Sequence, residues 1–295
     1  MNPPIQKSEN RNIIWLASYP KSGNTWFRVF LSHLLAEKNE DVDINSLHLT
    51  PIASCRHLFE ETLALESSCF SNDEIDLMRP DFYRNTSFDT AVGEKNYHKI
   101  HDAFTKNQNG EWIFPPEVTF CALYFLRNPL DIAVSAANHF ACTLDKAIEN
   151  MNNPQFALAG NKYTLPTQLR QILLTWSEHV LSWINSPVNV LVVRYEDMKF
   201  DTFNTFSKAV EFIGLDKTEE EIKNAISKSS FKTLQKQEIQ NGFKEKQQNT
   251  KMFFRKGEVG DWHNHLSPVQ VKKLLNSHAE VMELFGYLEN GKPTY

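Results

Sequence analysis

A single α/β domain with a central parallel β-sheet flanked by helices is the fold class that the sequence predicts. Three observations predict it. An apolar run at 13–19 passes through a glycine turn into an amphipathic stretch at 25–37, the same order of strand, turn and helix recurs over 118–140, and a third apolar run at 188–195 follows another amphipathic segment. Strands that alternate with helices pair in parallel, because each return to the same end of the sheet uses a helix as its crossover.

The elements follow in chain order. IIWLASY at 13–19 is rich in β-branched and aromatic residues and reads as a buried strand. PKSGN then supplies a turn, and Trp26, Val29, Phe30, Leu34 and Leu35 recur at helical spacing. Residues 41–92 hold short periodic pieces: Leu58, Leu63 and Leu65 mark a helix, MRPDFYRNTS reads as irregular aromatic surface, and no scaffold strand is expected. VTFCALYFLR at 118–127 is the second strand, Asn128-Pro129 its turn, and Asp131 lies near the start of the next helix. Periodicity fades over 150–166. Leu169, Ile172, Leu173, Trp176, Val180 and Ile184 then predict one long amphipathic helix feeding the strand VNVLVVRY. Helices are expected around 203–213 and 219–225, a mobile Lys/Gln/Glu/Asn-rich stretch over 232–251, and a last helix over 268–285 with Leu274, Leu275, Val281 and Met282 inward.

The organisation expected is a flexible start at 1–10, one domain over 11–288 and a tail at 289–295. No internal repeat or Ser/Gly-rich linker divides it. The segments 41–92, 139–168 and 232–252 are expected to form the acceptor site or a lid.

Composition narrows the function. The chain has 295 residues, 41% hydrophobic, enough for a sizeable core and unlike a disordered or disulfide-held scaffold. Lys plus Arg is 31 against 36 Asp plus Glu, a formal charge of −5, so a nucleic-acid partner is not expected, although a local basic pocket for a small anion stays open. Cys55, Cys69, Cys121 and Cys142 have neither close pairs nor metal-ligand spacing and read as buried free thiols of a reducing compartment. MNPPIQKSENRN lacks an apolar signal region and the apolar runs are too short to span a membrane, so a soluble cytoplasmic protein is expected, without membrane association.

The sharpest chemical feature is YPKSGNTW at 19–26. Gly23 permits an unusual backbone angle, successive N–H groups entering the helix can hold an anion, and Lys21, Ser22 and Thr25 add donors. An ordinary strand-helix turn is the competing reading. It is not a Walker A motif, because the spacing is absent and the lysine precedes the glycine. Arg127 at a strand end and Ser135 two turns into the next helix offer a second anion clamp, and Arg255-Lys256-Gly257 a third, though each alone also reads as ordinary surface chemistry. HKIHDAF contributes Lys99 and His101, a histidine suited to taking a proton from a hydroxyl at neutral pH. Neither His98 with His101 and Asp102 nor His263 with His265 completes a metal-ligand set, so no metal is expected. Glu196 and Asp197 can serve as acid and base or orient their neighbours. No GxSxG occurs.

In order along the chain, YPKSGNTW, FLRNPLDIAVS and RKGEVGDWHNHLS resemble three segments of the sulfotransferase family that uses 3′-phosphoadenosine 5′-phosphosulfate (PAPS) as donor and releases 3′-phosphoadenosine 5′-phosphate (PAP); the resemblance covers 11–288. It implies the family's P-loop nucleoside triphosphate hydrolase-like fold. It also implies that Lys21, Ser22, Gly23, Asn24, Thr25 and Trp26 surround the 5′-phosphosulfate, with Asn24 in place of a commoner threonine. Arg127, Ser135, Arg255, Lys256 and Gly257 would read the 3′-phosphate, and Tyr195, Ser229, Ser230 and Phe231 would contact the nucleotide. HKIHD resembles the family's Lys-x-His segment, so His101 would act as general base, Lys21 would stabilise the leaving phosphate oxygen, Lys99 would steady the sulfuryl oxygens and Ser22 would restrain Lys21. No metal is required for such a transfer.

The stretch 153–184 resembles bacterial small-molecule sulfotransferases, including those that modify glycopeptides. A small hydroxyl acceptor, bulky or aromatic, is the expected partner, and Phe82, Tyr83, Phe140, Phe156, Tyr163 and Phe243 are candidates for its cleft. A small-molecule or nucleoside kinase and a non-catalytic nucleotide-binding protein are the alternatives. The sequence leaves room for a homodimer and assigns it no interface.

Overall fold

Strands β1 (Ile13–Ser18), β2 (Asn96–Ile100), β3 (Thr119–Leu126) and β6 (Val190–Arg194) form a parallel sheet in the order β2-β1-β3-β6 in a computed structural model. The structure describes residues 11–36, 42–91, 93–161, 163–246 and 250–295. The flexible start expected at 1–10 lies outside the described residues, as do parts of 41–92, 139–168 and 232–252. Ile14 pairs with Tyr97 on one side and Cys121 on the other, and Phe125 pairs with Val193.

Both faces of the sheet are covered, which is why its central strands read as unbroken apolar runs instead of alternating ones. Every residue of β1 is buried. Ile13, Trp15 and Ala17 pack on one face with helices α3 (Asn72–Asp89), α6 (Trp176–Ile184) and α11 (Pro268–Leu284). Ile14 and Leu16 pack on the other with α1 (Asn24–Leu35), α8 (Thr202–Phe212) and α9 (Glu219–Lys228). Trp15 is held edge-on by Tyr83 at 5.0 Å and Phe114 at 5.2 Å, and its indole N–H donates to Thr119 Oγ1 at 3.0 Å. Burial of each such side chain is worth roughly 1.5–3 kcal/mol.

Short helices α2 (Arg56–Leu63), α4 (Pro129–His139), α5 (Leu144–Met151), α7 (Tyr195–Phe200) and α10 (Phe231–Asn241) surround the strand ends. Two-residue strands β4 (Ala157–Leu158) and β5 (Gln171–Ile172) pair antiparallel, as do β7 (Leu288–Glu289) and β8 (Lys292–Pro293).

Strand β2, helix α5 and the two short hairpins are not expected from the sequence, and three stretches that were read differ in structure. MRPDFYRNTS lies within α3, where Phe82, Tyr83 and Arg79 are buried. Pro80 reads as a helix breaker, yet a Ser71/Glu74 capping box starts the helix and the Arg79–Asp102 ion pair ties its middle to the sheet, so tertiary contacts override the proline. The long helix expected from Leu169 starts only at Trp176, capped by Thr175 and Glu178; the preceding residues run extended, with Leu169 and Leu173 fully buried. Part of the stretch expected to be mobile is α10, which buries Leu234 and Glu238. The Glu238 carboxylate accepts from the Phe253 and Phe254 N–H groups at 2.6 and 2.8 Å, stapling the returning chain to the helix.

Candidate active site

The strand order sets the site. The C-terminal ends of β2, β1, β3 and β6 stand side by side and deliver His101, the turn at Lys21, Arg127 and Tyr195 in that spatial order. Because β1 is flanked by the strand that follows it and by the next one, the chain leaves it to both sides, and such a switch point opens a crevice. Here the crevice is a cleft of about 1,270 Å³ lined by Lys21, Gly23, Thr25, Trp26, Lys99, His101, Arg127, Ser135, Tyr195, Phe231 and Arg255-Lys256-Gly257. These are most of the residues singled out in the sequence.

The first turn is built for an anion. Lys21 and Gly23 both take left-handed backbone angles, φ 74° and 98°, the kind of turn whose successive N–H groups can form an anion-binding concavity; for Lys21 this costs roughly 1–2 kcal/mol. Gly23 is dictated twice, since a Cβ there would also lie 2.8 Å from the Tyr195 ring. Helix α1 starts at this turn without a side-chain cap. Ser22 Oγ, Trp26 Nε1 and Arg127 Nε are buried with no hydrogen-bond partner, and of these Trp26 and Arg127 line the cleft. The Asn24 amide turns back instead, donating to the Leu16 carbonyl at 2.7 Å and to Ser18 Oγ at 3.2 Å. Asn24, where the resemblance implies a commoner threonine, is thus a staple between helix and strand.

His101 is oriented by β1. Its Nδ1 lies 2.9 Å from the Ser18 carbonyl oxygen, and since a carbonyl only accepts, Nδ1 carries the proton and Nε2 keeps its lone pair. Ser18 Oγ, 3.1 Å away, shares that proton. Burial, and then the neighbouring Lys99 charge, hold the imidazole well below its usual pKa, so it is neutral at pH 7. Its backbone is fixed from behind: His179 Nε2 donates to the His101 carbonyl at 2.9 Å, while Asp102 takes a two-pronged ion pair from buried Arg79 at 2.8 and 3.0 Å.

Two lysines face the same space. Burial, helped by Arg127 and Lys99, pushes Lys21 down to about 7, and its Nζ lies 3.7 Å from the centre of the Phe253 ring. Burial also lowers Lys99, against the opposing effect of Glu245, whose Oε2 is 2.8 Å away.

The third anion cluster arrives by a long return of the chain. Asp131 accepts from the N–H groups of Gly260 and Trp262 at 2.8 and 3.0 Å, docking that segment on α4. Arg127 donates to the carbonyls of Lys21 at 3.2 Å and Glu258 at 2.8 Å and stacks 4.2 Å from the Tyr195 ring. Arg255 and Lys256 pair with Asp261 at 2.8 and 2.6 Å. Gly257 is required because a Cβ would meet the Phe231 ring at 2.6 Å. Glu196 orients the Arg127 turn by accepting from Asn128 N–H at 3.1 Å and Tyr287 O–H at 2.7 Å.

Several assignments change. Ser229 is fully buried outside the cleft lining, and its hydroxyl donates to its own helix at the Ile226 carbonyl. Ser230 caps α10. Ser22 is buried beneath the turn and not in the lining. Among the acceptor aromatics, Phe140 and Phe243 line the cleft, Phe82 and Tyr83 are core, Phe156 packs against that core, and Tyr163 is 95% exposed. His263 lies on a 3-10 turn at 261–264 and His265 caps it. Of the cysteines only Cys121 is buried; Cys69 is exposed. The sequence reading missed Arg28, His139, Glu245 and Phe253, all in the cleft. Arg28 and His139 follow Asn24 and Ser135 by four residues, a helical spacing that could have found them.

The strand ends thus define an α/β protein whose cleft gathers cations and a glycine turn beside the neutral His101. The family model described as the sulfotransferase domain matches residues 11–286, and the chain belongs to that family. It is similar to cytosolic sulfotransferase 14 of Arabidopsis thaliana, at 27% identity over 272 residues, 88% of this chain and 72% of that one. Among solved structures it is similar to mouse sulfotransferase SULT7A1 complexed with PAP, at a TM-score of 0.56 and 21% identity over 92% of this chain and 85% of that one. It is also similar to retinol dehydratase in a complex with retinol and PAP, at 0.61 and 19% over 92% and 82%. The sulfotransferase fold implied by the sequence is the fold of these structures.

Proposed function

We propose that the protein transfers a sulfuryl group from PAPS to a hydroxyl of a small-molecule acceptor. The observation that carries this reading is the tautomer of His101: a neutral imidazole with a fixed Nδ1–H and a free Nε2 lines the cleft that also holds Lys21, Lys99 and Arg127. PAPS, when bound, supplies the sulfuryl group and a phosphate leaving group. His101 Nε2 takes the proton from the acceptor hydroxyl, Lys21 balances the charge that develops on the leaving oxygen, and Lys99 steadies the transferred oxygens. The orphaned Trp26 Nε1 and Arg127 Nε, both of residues that line the cleft, support a nucleotide anion on the turn, with Arg127, Ser135 and Arg255-Lys256-Gly257 as the reader of its 3′-phosphate. Phe140 and Phe243, with the apolar side chains of Ile52, Leu58 and Leu158, suit a bulky or aromatic acceptor.

Calorimetry with PAP and ADP in metal-free buffer tests the donor site. PAP should bind far more tightly than ADP, and Arg127→Ala should weaken PAP by about 2–3 kcal/mol while leaving ADP little changed. Equal affinity for the two nucleotides would remove the 3′-phosphate reader and the sulfuryl-transfer reading with it.

Lys21 adds a second expectation. With its free-state value near 7 it is mostly uncharged at pH 8, and a neighbouring phosphate favours the charged form, so PAP binding at that pH should take up about half a proton or more. Binding heats in buffers of different ionisation enthalpy measure this. Heats independent of buffer would contradict it.

No helix among the described residues is long and apolar enough to cross a membrane. We read the protein as cytoplasmic, with no nucleic-acid partner and a homodimer compatible with the role. The stretch 153–184 supports a place nearest the bacterial small-molecule members of the family.

A further inference from the structure

Arg28 is an unusual side chain to find inside a cleft wall. It is 1% exposed on α1, one turn past the anion-binding turn, and its guanidinium is fixed by Thr50, with Nε donating to Oγ1 at 3.1 Å and Nη2 to the carbonyl at 2.9 Å. Its Nη1 is 2.7 Å from Glu245 Oε1. The other oxygen of the same carboxylate is 2.8 Å from Lys99 Nζ. One carboxylate thus divides its two oxygens between two buried cations that come from α1 and β2, while Glu245 itself comes from the chain after α10.

Burial alone would raise the Glu245 carboxyl, and Lys99 and Arg28 outweigh it, holding the group ionised well below the usual range. The division of labour follows from geometry. Arg28 has a rigid fork already fixed on two sides, so it anchors the carboxylate; Lys99 has a flexible stem and a single point charge, so the carboxylate anchors it. The same stretch of chain is tied to α10 through Glu238 and lays Phe253 over Lys21, so its seating sets the surroundings of both lysines.

We propose that Glu245 is a positioning residue of the transfer site: its carboxylate, fixed by Arg28, holds the Lys99 ammonium in place two residues before His101. This rests on the sulfuryl-transfer reading for its consequence, and on the ion triad alone for its geometry. Removing the carboxylate charge frees Lys99 to lose its proton and to swing, while the hydrogen bond that orients His101 on the Ser18 carbonyl does not involve Glu245.

The test has two arms. In the first, protein is labelled with N-hydroxysuccinimide acetate and lysine acetylation is followed by peptide mass spectrometry, which needs no acceptor. Glu245→Gln should speed labelling of Lys99 by about tenfold, Glu245→Asp should restore protection, and Lys272, exposed on α11, should serve as an unchanged control. In the second, sulfation of β-naphthol by PAPS is measured. Glu245→Gln should lower kcat by about 10- to 100-fold with the naphthol KM and PAP affinity within about threefold, and should cost nothing further in a Lys99→Ala background. Unchanged Lys99 labelling, a loss confined to KM, or losses that multiply with those of Lys99→Ala would each overturn the role of Glu245. Wild-type protein that binds no PAP would instead sink the sulfuryl-transfer reading, and the labelling arm would still decide whether Glu245 holds Lys99.

Discussion

Replacing His101 with alanine lowers kcat by roughly 100- to 10,000-fold and leaves PAP affinity nearly unchanged, because the side chain serves the acceptor proton and not the nucleotide. The direction of the pH profile follows from its surroundings. An exposed histidine loses half its basic form near pH 6.5, but burial and Lys99 keep His101 neutral well below that value. Activity of the wild-type protein should therefore stay level from about pH 8 down through 6.5 and fall only on further acidification, provided the fold holds. Ser18→Ala should have a small effect, since the carbonyl of the same residue remains to fix Nδ1–H at 2.9 Å. A turnover that survives His101→Ala within about threefold would remove the general base from the mechanism. Steady-state kinetics with labelled PAPS and an acceptor found by screening decides this, with PAP calorimetry as the check that the variant is folded and loaded.

The parts of this site that were legible in the sequence are those whose chemistry is local. Gly23 announces its turn because no other residue takes φ 98° so close to Tyr195, and the unbroken apolar run before it places that turn at a strand end. Lys99 and His101 were legible as a pair through the short spacing on β2. What could not be read was the partner each side chain finds across the fold. Glu245 lies 146 residues from Lys99 and 217 from Arg28, and nothing in its polar, Lys/Gln-rich surroundings marks it as buried. Ser229 shows the converse: its motif suggests a ligand contact, and its hydroxyl bonds locally, to the Ile226 carbonyl of its own helix end. α3 was missed because a proline inside a helix is a strong local signal, and the buried Arg79–Asp102 pair that outweighs it is a distant one.

The same burial that makes His101 a neutral base makes the fold sensitive to acid. His98, His179 and His278 are 3%, 0% and 1% exposed, and burial pushes each down to about 4. The unfolded chain binds protons on these groups from about pH 6.5 downward, while the folded chain refuses them until near pH 4, so their contribution is complete above 6.5 and is lost as pH falls through that window. At pH 5 each costs about 2 kcal/mol, and three of them approach the whole stability of an ordinary domain, about 5–15 kcal/mol. Glu196 and Asp102, both raised by burial, work in the opposite direction, but two carboxyls offset only part of this. The melting temperature should drop by more than about 10 °C between pH 7 and pH 5. His98 isolates the cause, because neither ring nitrogen has a hydrogen-bond partner and the ring packs against Trp15 at 5.7 Å and Tyr83 at 6.4 Å. His98→Phe keeps an aromatic ring there and removes the proton site, so the variant should melt above the wild type at pH 5 and close to it at pH 7.5. Thermal denaturation followed by circular dichroism at several pH values measures both effects. If His98→Phe retained the wild-type dependence on pH, the burden of acid unfolding would have to move from these buried imidazoles to the carboxylates.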